Sequence, residues 1–239
     1  MALLRSARCC PLARAPLSFP IMDRAAHMVE VADRLRRRFG PVDHGDPEPP
    51  LDLLVRTILS QNTSDRNRDR AYAELRCRFP TWEDVLAAPP REVAGAIQGA
   101  GLHHQRAKRL HAVLARLRDE RGTLTLDFLA QLPDEEAVQW LLSLPGVGKK
   151  TAYVVLLFGF GRPFFPVDTH ISRVTKRLGL TDETGDPHDA LAPLVPPGQE
   201  RELHLHLIRL GREVCRPRQP RCPACPLRDV CPYGQKETR

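Results

Sequence analysis

Lysine, long apolar runs and β-strand patterns are all scarce in this sequence. Of the 36 basic residues in a chain of 239, only five are lysines. The longest nearly unbroken apolar stretch, residues 152–161, is too short to cross a bilayer, which takes about 20 residues, so we exclude an integral membrane protein. No segment sustains the two-residue alternation of a strand, and nearly every segment has helical periodicity. The sequence therefore predicts an all-α fold.

The charge balance is positive and the composition is that of a folded protein. The 36 basic residues exceed the 29 acidic ones, which gives a formal net charge of +7, and 42% of the residues are hydrophobic. That apolar fraction is enough for a core and excludes global disorder. A positive balance suits a nucleic-acid partner because it neutralises phosphates, although arginine-rich proteins also arise from nucleotide composition alone.

The cysteine count and the N-terminus bear on the compartment. Seven cysteines, an odd number, without a convincing signal peptide argue against a secreted disulfide scaffold. Residues 1–20 carry three arginines and no acidic residue. We predict a disordered basic tail there, and organellar targeting by these residues is an alternative that we do not favour.

Residues 144–152, with the sequence LPGVGKKTA, are the most informative stretch. Gly146 and Gly148 allow a tight turn that points Val147 inward. The turn leaves backbone N–H groups facing out at the start of a helix, which makes an anion site suited to a DNA phosphate. A nucleotide-binding P-loop is excluded because GxxxxGK[ST] after a strand is absent. With helical segments on both sides, the stretch resembles the helix-hairpin-helix motif of DNA-binding proteins; an ordinary interhelical turn is the plainer alternative.

An aspartate lies 18 positions beyond Lys150, in the sequence FPVDTHI of residues 165–171. Asp168 can cap the helix that follows, accepting backbone N–H bonds that hold it ionised. For an isolated aspartate before a helix, a capping role alone is the simpler interpretation.

Four cysteines crowd the C-terminal segment with the spacing C-x6-C-x2-C-x5-C: Cys215, Cys222, Cys225 and Cys231. Four thiolates can hold a 4Fe–4S cluster or one zinc ion, and the presence of a single C-x2-C pair counts against zinc. A ligated loop would also hold three arginines as a rigid basic finger for the DNA backbone: Arg216, Arg218 and Arg221.

The hairpin ending in lysine, the VDTH sequence and the terminal cysteines together resemble the endonuclease III family of base-excision DNA glycosylases. The resemblance covers roughly residues 21–235. It implies a two-lobed, all-α helix-hairpin-helix DNA glycosylase fold, with a six-helix domain over residues 45–162. Residues 21–44 and 163–239 would form a four-helix iron–sulfur cluster domain, with one 4Fe–4S cluster on the four cysteines.

By the same resemblance, Lys150 and Asp168 are the catalytic residues. The amine of Lys150 would attack C1′ of the deoxyribose, displace a damaged base and form a Schiff base, from which elimination cuts the strand. Arginine cannot do this because it stays protonated. We expect the helix N-terminus and the neighbouring Lys149 to lower the pKa of Lys150, and Asp168 to stabilise cationic character on the sugar. The implied activity is that of a bifunctional glycosylase and AP lyase acting on oxidised pyrimidines in duplex DNA.

A glycosylase must also fill the gap that the extruded nucleotide leaves. By position, Leu102 would be the wedge from one loop, and a buried loop anchor is the alternative for this residue. The loop of residues 60–65 would supply the other plug, but Asn62 stands where the family commonly has glutamine, and Gln61 comes one place earlier. The other residues that we expect to contact DNA are Asp65, Gly146, Val147, Gly148, Lys149 and His170.

The remaining expectations concern partners and competing functions. We expect a monomer in the cytoplasm, associated with the nucleoid of a bacterial-type cell, with damaged or abasic double-stranded DNA as partner, no membrane partner, and a monovalent cation at the hairpin. A monofunctional mismatch-type glycosylase of the same fold is one alternative; it predicts a residue other than lysine at position 150, and its adenine-specific branch a glutamate near Ser60. A non-catalytic iron–sulfur DNA-binding or redox protein is the other.

Overall fold

A computed structural model describes residues 23–43, 48–182 and 184–236, so the tail predicted for residues 1–20 lies outside the described residues. Within this part of the chain all regular structure is helical, as predicted, and none of these helices is long and apolar enough to cross a membrane. The α-helices are α1 Arg24–Phe39, α2 Pro50–Ser60, α3 Asp65–Arg78, α4 Trp82–Ala87, α5 Pro90–Ala96, α6 His103–Arg121, α7 Asp134–Leu142, α8 Lys149–Val154, α9 Thr169–Arg177, α10 Pro187–Leu191, α11 Glu200–Glu213 and α12 Pro232–Lys236.

The first hydrophobic core is built by α2 to α8, which we call the hairpin lobe. Helix α6 runs through it with four apolar residues of one face fully buried: Leu110, Val113, Leu114 and Leu117. Burying one such side chain contributes about 1.5–3 kcal/mol. The hairpin between α7 and α8 lies at one end of this lobe, with Leu144 and Val147 in its core.

The second core joins α1 to α9, α11 and the C-terminal segment, which together we call the cysteine lobe. Met28 and Leu35 of α1 pack there against residues more than 130 positions away in the chain, such as Val174. Helices α9 and α11 approach closely because Gly211 has no side chain, since a Cβ at Gly211 would lie 2.9 Å from the Cβ of His170. This contact brings the start of α9 beside α11.

Helix ends follow the sequence where local chemistry decides them. Asp168 caps α9, as predicted, by accepting a bond from the N–H of Ile171 at 2.8 Å, and Thr81 forms a capping box with Asp84. In the segment after the hairpin, the α-helix ends at Val154 and continues as a π-helical turn over Val155–Gly159. Such a turn inside a helix is often found at functional sites.

Candidate active site

Lys150 lies in the first turn of α8, where the hairpin ends and the two lobes meet. Burial lowers the pKa of its amine below the ordinary value. Asp168 is the strongest opposing influence and raises that pKa, which places the two predicted catalytic groups within electrostatic reach of each other. An uncharged amine at accessible pH is what a nucleophilic lysine needs.

The pKa of Lys150 is lowered in the predicted direction, and burial is the largest cause. The Nζ of Lys149, the cation expected to lower this pKa, is paired with two carboxylates, Asp186 at 2.6 Å and Asp189 at 2.9 Å. These bonds raise the pKa of Lys149 and hold the pKa of Asp186 well below its usual range. The side chain predicted to contact DNA thus connects the hairpin to the start of α10.

Two arginines and an aspartate complete the charges around Lys150. Asp65, at the start of α3, accepts a bond from Arg68 at 2.9 Å and another from Arg212 of α11 at 2.6 Å. Both arginines lower the pKa of Lys150, and Asp65 raises it. The array spans the two lobes, so the ionisation of Lys150 depends on how the lobes are joined.

The segment that leads to Asp168 is held from inside the protein. His204 of α11 lies within 2.8 Å of the carbonyl oxygen of Pro166, so its Nδ1 carries the proton and donates it. Burial lowers the pKa of His204 to about 4. The imidazole is therefore neutral at physiological pH, which agrees with a packing role.

The hairpin has the predicted geometry with one difference. Val147 is buried and Gly146 has a φ of 80°, where a side chain would be strained. The N–H of Val147 donates to the carbonyl oxygen of Leu144 at 3.2 Å, so that donor closes the turn and does not face out. The outward donors are left to the backbone at Gly148 and beyond, where α8 begins.

In the two loops expected to fill the gap in DNA, one of the candidate side chains is bonded internally and two are exposed. Gln61 is held internally: its Nε2 donates to the carbonyl oxygen of Gly146 at 3.0 Å, and its Oε1 accepts from Arg109 at 3.1 Å. Asn62 is exposed with a left-handed φ of 53°. Leu102 is 59% exposed with a φ of 48°, which excludes the buried anchor. The outward side chains are therefore Asn62 and Leu102.

The four terminal cysteines are half-buried next to α9. Burial raises the pKa of Cys225 to about 11, and each of the other three thiols raises it further, which shows that the set is clustered. Within the described residues, no three His, Cys, Asp or Glu side chains form a group that could hold a single metal ion. The three arginines of the predicted basic finger are all exposed: Arg216, Arg218 and Arg221.

Sequence reasoning assigned no role to Arg106 or Arg212. Arg106 is only 1% exposed. Its position in the helix could have indicated this burial, since Arg106 falls on the same face of α6 as Leu110 and Leu117. The pairing of Arg212 had no local signal, because its partner Asp65 is 147 positions away. His170, predicted to contact DNA, lies beside Arg173, with its Nδ1 3.2 Å from that guanidinium.

Comparison with known proteins first establishes the class of protein. The family model of HhH-GPD superfamily base excision DNA repair proteins matches residues 55–195, more than half of the chain. An endonuclease III of Thermotoga maritima is 32% identical over 87% of this chain and 93% of its own length. A thymine/uracil-DNA glycosylase of Methanothermobacter thermautotrophicus is 31% identical over 78% of this chain and 83% of its own length. A solved structure of a trapped covalent intermediate between endonuclease III and DNA superimposes with a TM-score of 0.77 and 28% identity, covering 90% of this chain and 99% of that one.

The chain belongs to the endonuclease III family of the HhH-GPD superfamily. The predicted resemblance and the two-lobed all-α fold are confirmed.

Proposed function

We propose that this base-excision DNA glycosylase is bifunctional, removing oxidised pyrimidines from duplex DNA and then cutting the strand as an AP lyase. The observation that carries the proposal is the half-buried amine of Lys150, whose pKa is lowered and which lies within electrostatic reach of Asp168. Phosphate binding alone would favour a charged, exposed lysine. A desolvated lysine among arginines is suited to nucleophilic chemistry instead.

The steps follow from these two side chains. The neutral Nζ of Lys150 attacks C1′ of the deoxyribose, the bond from C1′ to the base breaks, and the base leaves with the bonding electrons and takes up a proton. The nitrogen, which carries two protons after the attack, loses one of them. Its lone pair then breaks the bond from C1′ to the ring oxygen, the ring oxygen takes up a proton, and the nitrogen keeps its second proton in a protonated Schiff base. Loss of a proton from C2′ then expels the 3′ phosphate. The Asp168 carboxylate stabilises the cationic sugar and moves protons between these steps.

The proposed DNA contacts divide by role. The hairpin backbone at Gly146, Gly148 and Lys149 binds a phosphate and fixes the register, and the exposed arginines of the cysteine loop bind further along the backbone. Leu102 enters the stack where the damaged nucleotide leaves, and Asn62 fills the gap from the other loop. Since the Gln61 amide is engaged with Gly146 and Arg109, Asn62 takes the place of the family's glutamine despite its shorter side chain.

The two lobes correspond in this proposal to a six-helix domain of residues 45–162 and a cluster domain of residues 21–44 with 163–239. The hairpin lobe and the cysteine lobe each have their own hydrophobic core. The boundary near residue 44 falls among residues outside those described.

The four cysteines fit a 4Fe–4S cluster in their chemistry. Cys215, Cys222, Cys225 and Cys231 form a clustered, all-thiol donor set. They do not converge as ligands of a single ion do, and a four-iron cluster is larger than one ion. When bound, the cluster would order the polar cysteine loop and keep its arginines in place.

Strand cutting with and without alkali tests the proposal. The substrate is a labelled duplex with one oxidised pyrimidine. The bifunctional enzyme cuts it without further treatment, and an equal yield after alkali confirms coupled steps. Cutting that appears only after alkali would support the monofunctional alternative, which the similarity to a thymine/uracil-DNA glycosylase favours. Tight binding with no base release would support the non-catalytic alternative.

A further inference from the structure

A buried arginine joins the two loops that face DNA in the proposed function. Arg106 lies in the first turn of α6 with 1% of its surface exposed. Its Nη1 donates to the carbonyl oxygen of Ala100 at 2.6 Å, and its Nη2 donates to the carbonyl oxygen of Gln61. Ala100 belongs to the loop of Leu102, and Gln61 immediately precedes Asn62. One guanidinium therefore spans both loops.

Burial of this cation is costly. Its bonds go to carbonyl oxygens rather than to a carboxylate, and its Nε is buried without a partner within the described residues. Burial, followed by repulsion from Arg109, lowers the pKa of Arg106. A lysine has a single nitrogen at its end, whereas the planar guanidinium offers separate donors to two acceptors. The two bonds explain why an arginine occupies a core-facing position.

A second arginine extends the connection to the hairpin. Arg109 donates to the side-chain oxygen of Gln61, and the Gln61 amide donates to the carbonyl oxygen of Gly146. Arg109 also covers Gly146, where a Cβ would lie 2.7 Å from its Cδ. The two loops and the phosphate-binding turn are thus parts of one bonded unit.

Both loops have a strained residue at their tips. Asn62 and Leu102 have φ values of 53° and 48°, in the left-handed region that residues other than glycine rarely adopt. Such conformations persist when the surrounding structure fixes them. The bonds from Arg106 fix the backbone one residue before Asn62 and two residues before Leu102.

We propose that Arg106 is a positioning residue that locks the Leu102 loop to the Asn62 loop, so that both side chains enter the duplex together when a nucleotide is extruded. This inference rests on the proposed function. It predicts that Arg106 matters for a base that must be unpaired and unstacked, and much less for a site that has no base.

Single-turnover kinetics on three substrates test the proposal: an oxidised pyrimidine in duplex DNA, the same lesion in a single strand, and an abasic site in duplex DNA. Arg106→Met is expected to slow excision from the duplex by about tenfold or more. Excision from the single strand and cutting at the abasic site are expected to stay within about twofold of the wild type. Lys108→Met removes an exposed cation from the same helix and serves as the matched control, which is expected to show no such selectivity.

A double mutant identifies the route of the effect. If Arg106 acts through Leu102, then Arg106→Met adds little to the loss caused by Leu102→Ala. Equal losses on all three substrates, or losses that multiply in the double mutant, would overturn the proposal. If circular dichroism shows that Arg106→Met does not fold, Arg106→Lys is tested instead. It keeps the charge but offers a single nitrogen and is expected to show the same selectivity. A wild-type protein that excises nothing would contradict the proposed function rather than this inference.

Discussion

Lys150 is distinguished from the other basic residues by its surroundings. Arginine supplies most of the positive charge of this chain, and only five of the 36 basic residues are lysines. The sequence alone singles out Lys150 as the proposed nucleophile, because the hairpin motif is local. It could not predict the charges that tune Lys150, because Arg68 and Arg212 reach it from two other helices.

The lowered pKa of Lys150 predicts how activity depends on pH. Only the neutral amine attacks, so the rate of Schiff-base formation should rise with pH and level off above a midpoint below 10.5, the ordinary value for lysine. Because Arg212 lowers this pKa and also pairs with Asp65, Arg212→Gln should move the midpoint to higher pH. Single-turnover rates over a pH series measure the shift. Arg209→Gln, on the same helix, is the control, and an unchanged midpoint in Arg212→Gln would refute this account.

At the scale of elements, helical periodicity and capping residues are the features that the sequence alone can predict. The buried face of α6 and the cap of α9 are examples, since both depend on neighbouring residues only. The internal bonds of the Gln61 loop could not be predicted. They involve Arg106, Arg109 and Gly146, which the chain brings together only after folding.

The different environments of Gln61 and Asn62 predict opposite phenotypes. Gln61→Ala removes two bonds and should lower the free energy of unfolding by about 1–2 kcal/mol. Glycine adopts the left-handed backbone readily, so Asn62→Gly should change stability by less than about 0.5 kcal/mol. It should weaken binding to duplex DNA that contains an oxidised pyrimidine. Urea unfolding and binding titrations check both variants. The reverse pattern would show that Gln61 is the plug.

Lys149 connects the hairpin to the start of α10, and this contact predicts a stability effect that depends on pH. Lys149 and its two carboxylate partners are all one-third or more exposed. We therefore expect the pairing to contribute about 1 kcal/mol to the free energy of unfolding. The pKa of Asp186 is lowered in the folded protein. This stabilisation is therefore present above pH 3.8, which is the ordinary pKa of an aspartate, and is lost as the pH falls through the lowered pKa of Asp186.

Lys149→Met should therefore be less stable than the wild type at neutral pH, and the difference should disappear in acid. Urea unfolding at several pH values measures this, with Lys108→Met as the control. Equal stability of Lys149→Met and the wild type at neutral pH would contradict the assigned pairing.

At the scale of the whole molecule, the proposed active site lies where two lobes with separate cores meet. Lys150 comes from the hairpin lobe, while Asp168 and Arg212 come from the cysteine lobe. Motifs separated by many residues could be assigned to one family from the sequence. How α1 returns to pack with α11 depends on long-range burial that local patterns do not contain.

The cysteine set predicts the metal content of the protein. Purified protein should be yellow-brown with about four iron atoms per chain. Cys225→Ser should lose iron and stability in the cysteine lobe, whereas Cys77→Ser, an exposed cysteine outside the set, should retain both. Metal analysis and absorption spectra provide the measurement. Fully active protein that contains zinc and no iron would show that the cluster assignment is wrong.

Borohydride trapping tests the central claim most directly. Reduction of the Schiff base on duplex DNA with an oxidised pyrimidine should convert the wild-type protein into a covalent adduct with DNA, with Lys150 as the modified residue. Lys150→Ala should bind the same duplex and form no adduct. An adduct of equal yield in Lys150→Ala, or tight binding by the wild type with neither adduct nor cutting, would contradict the account.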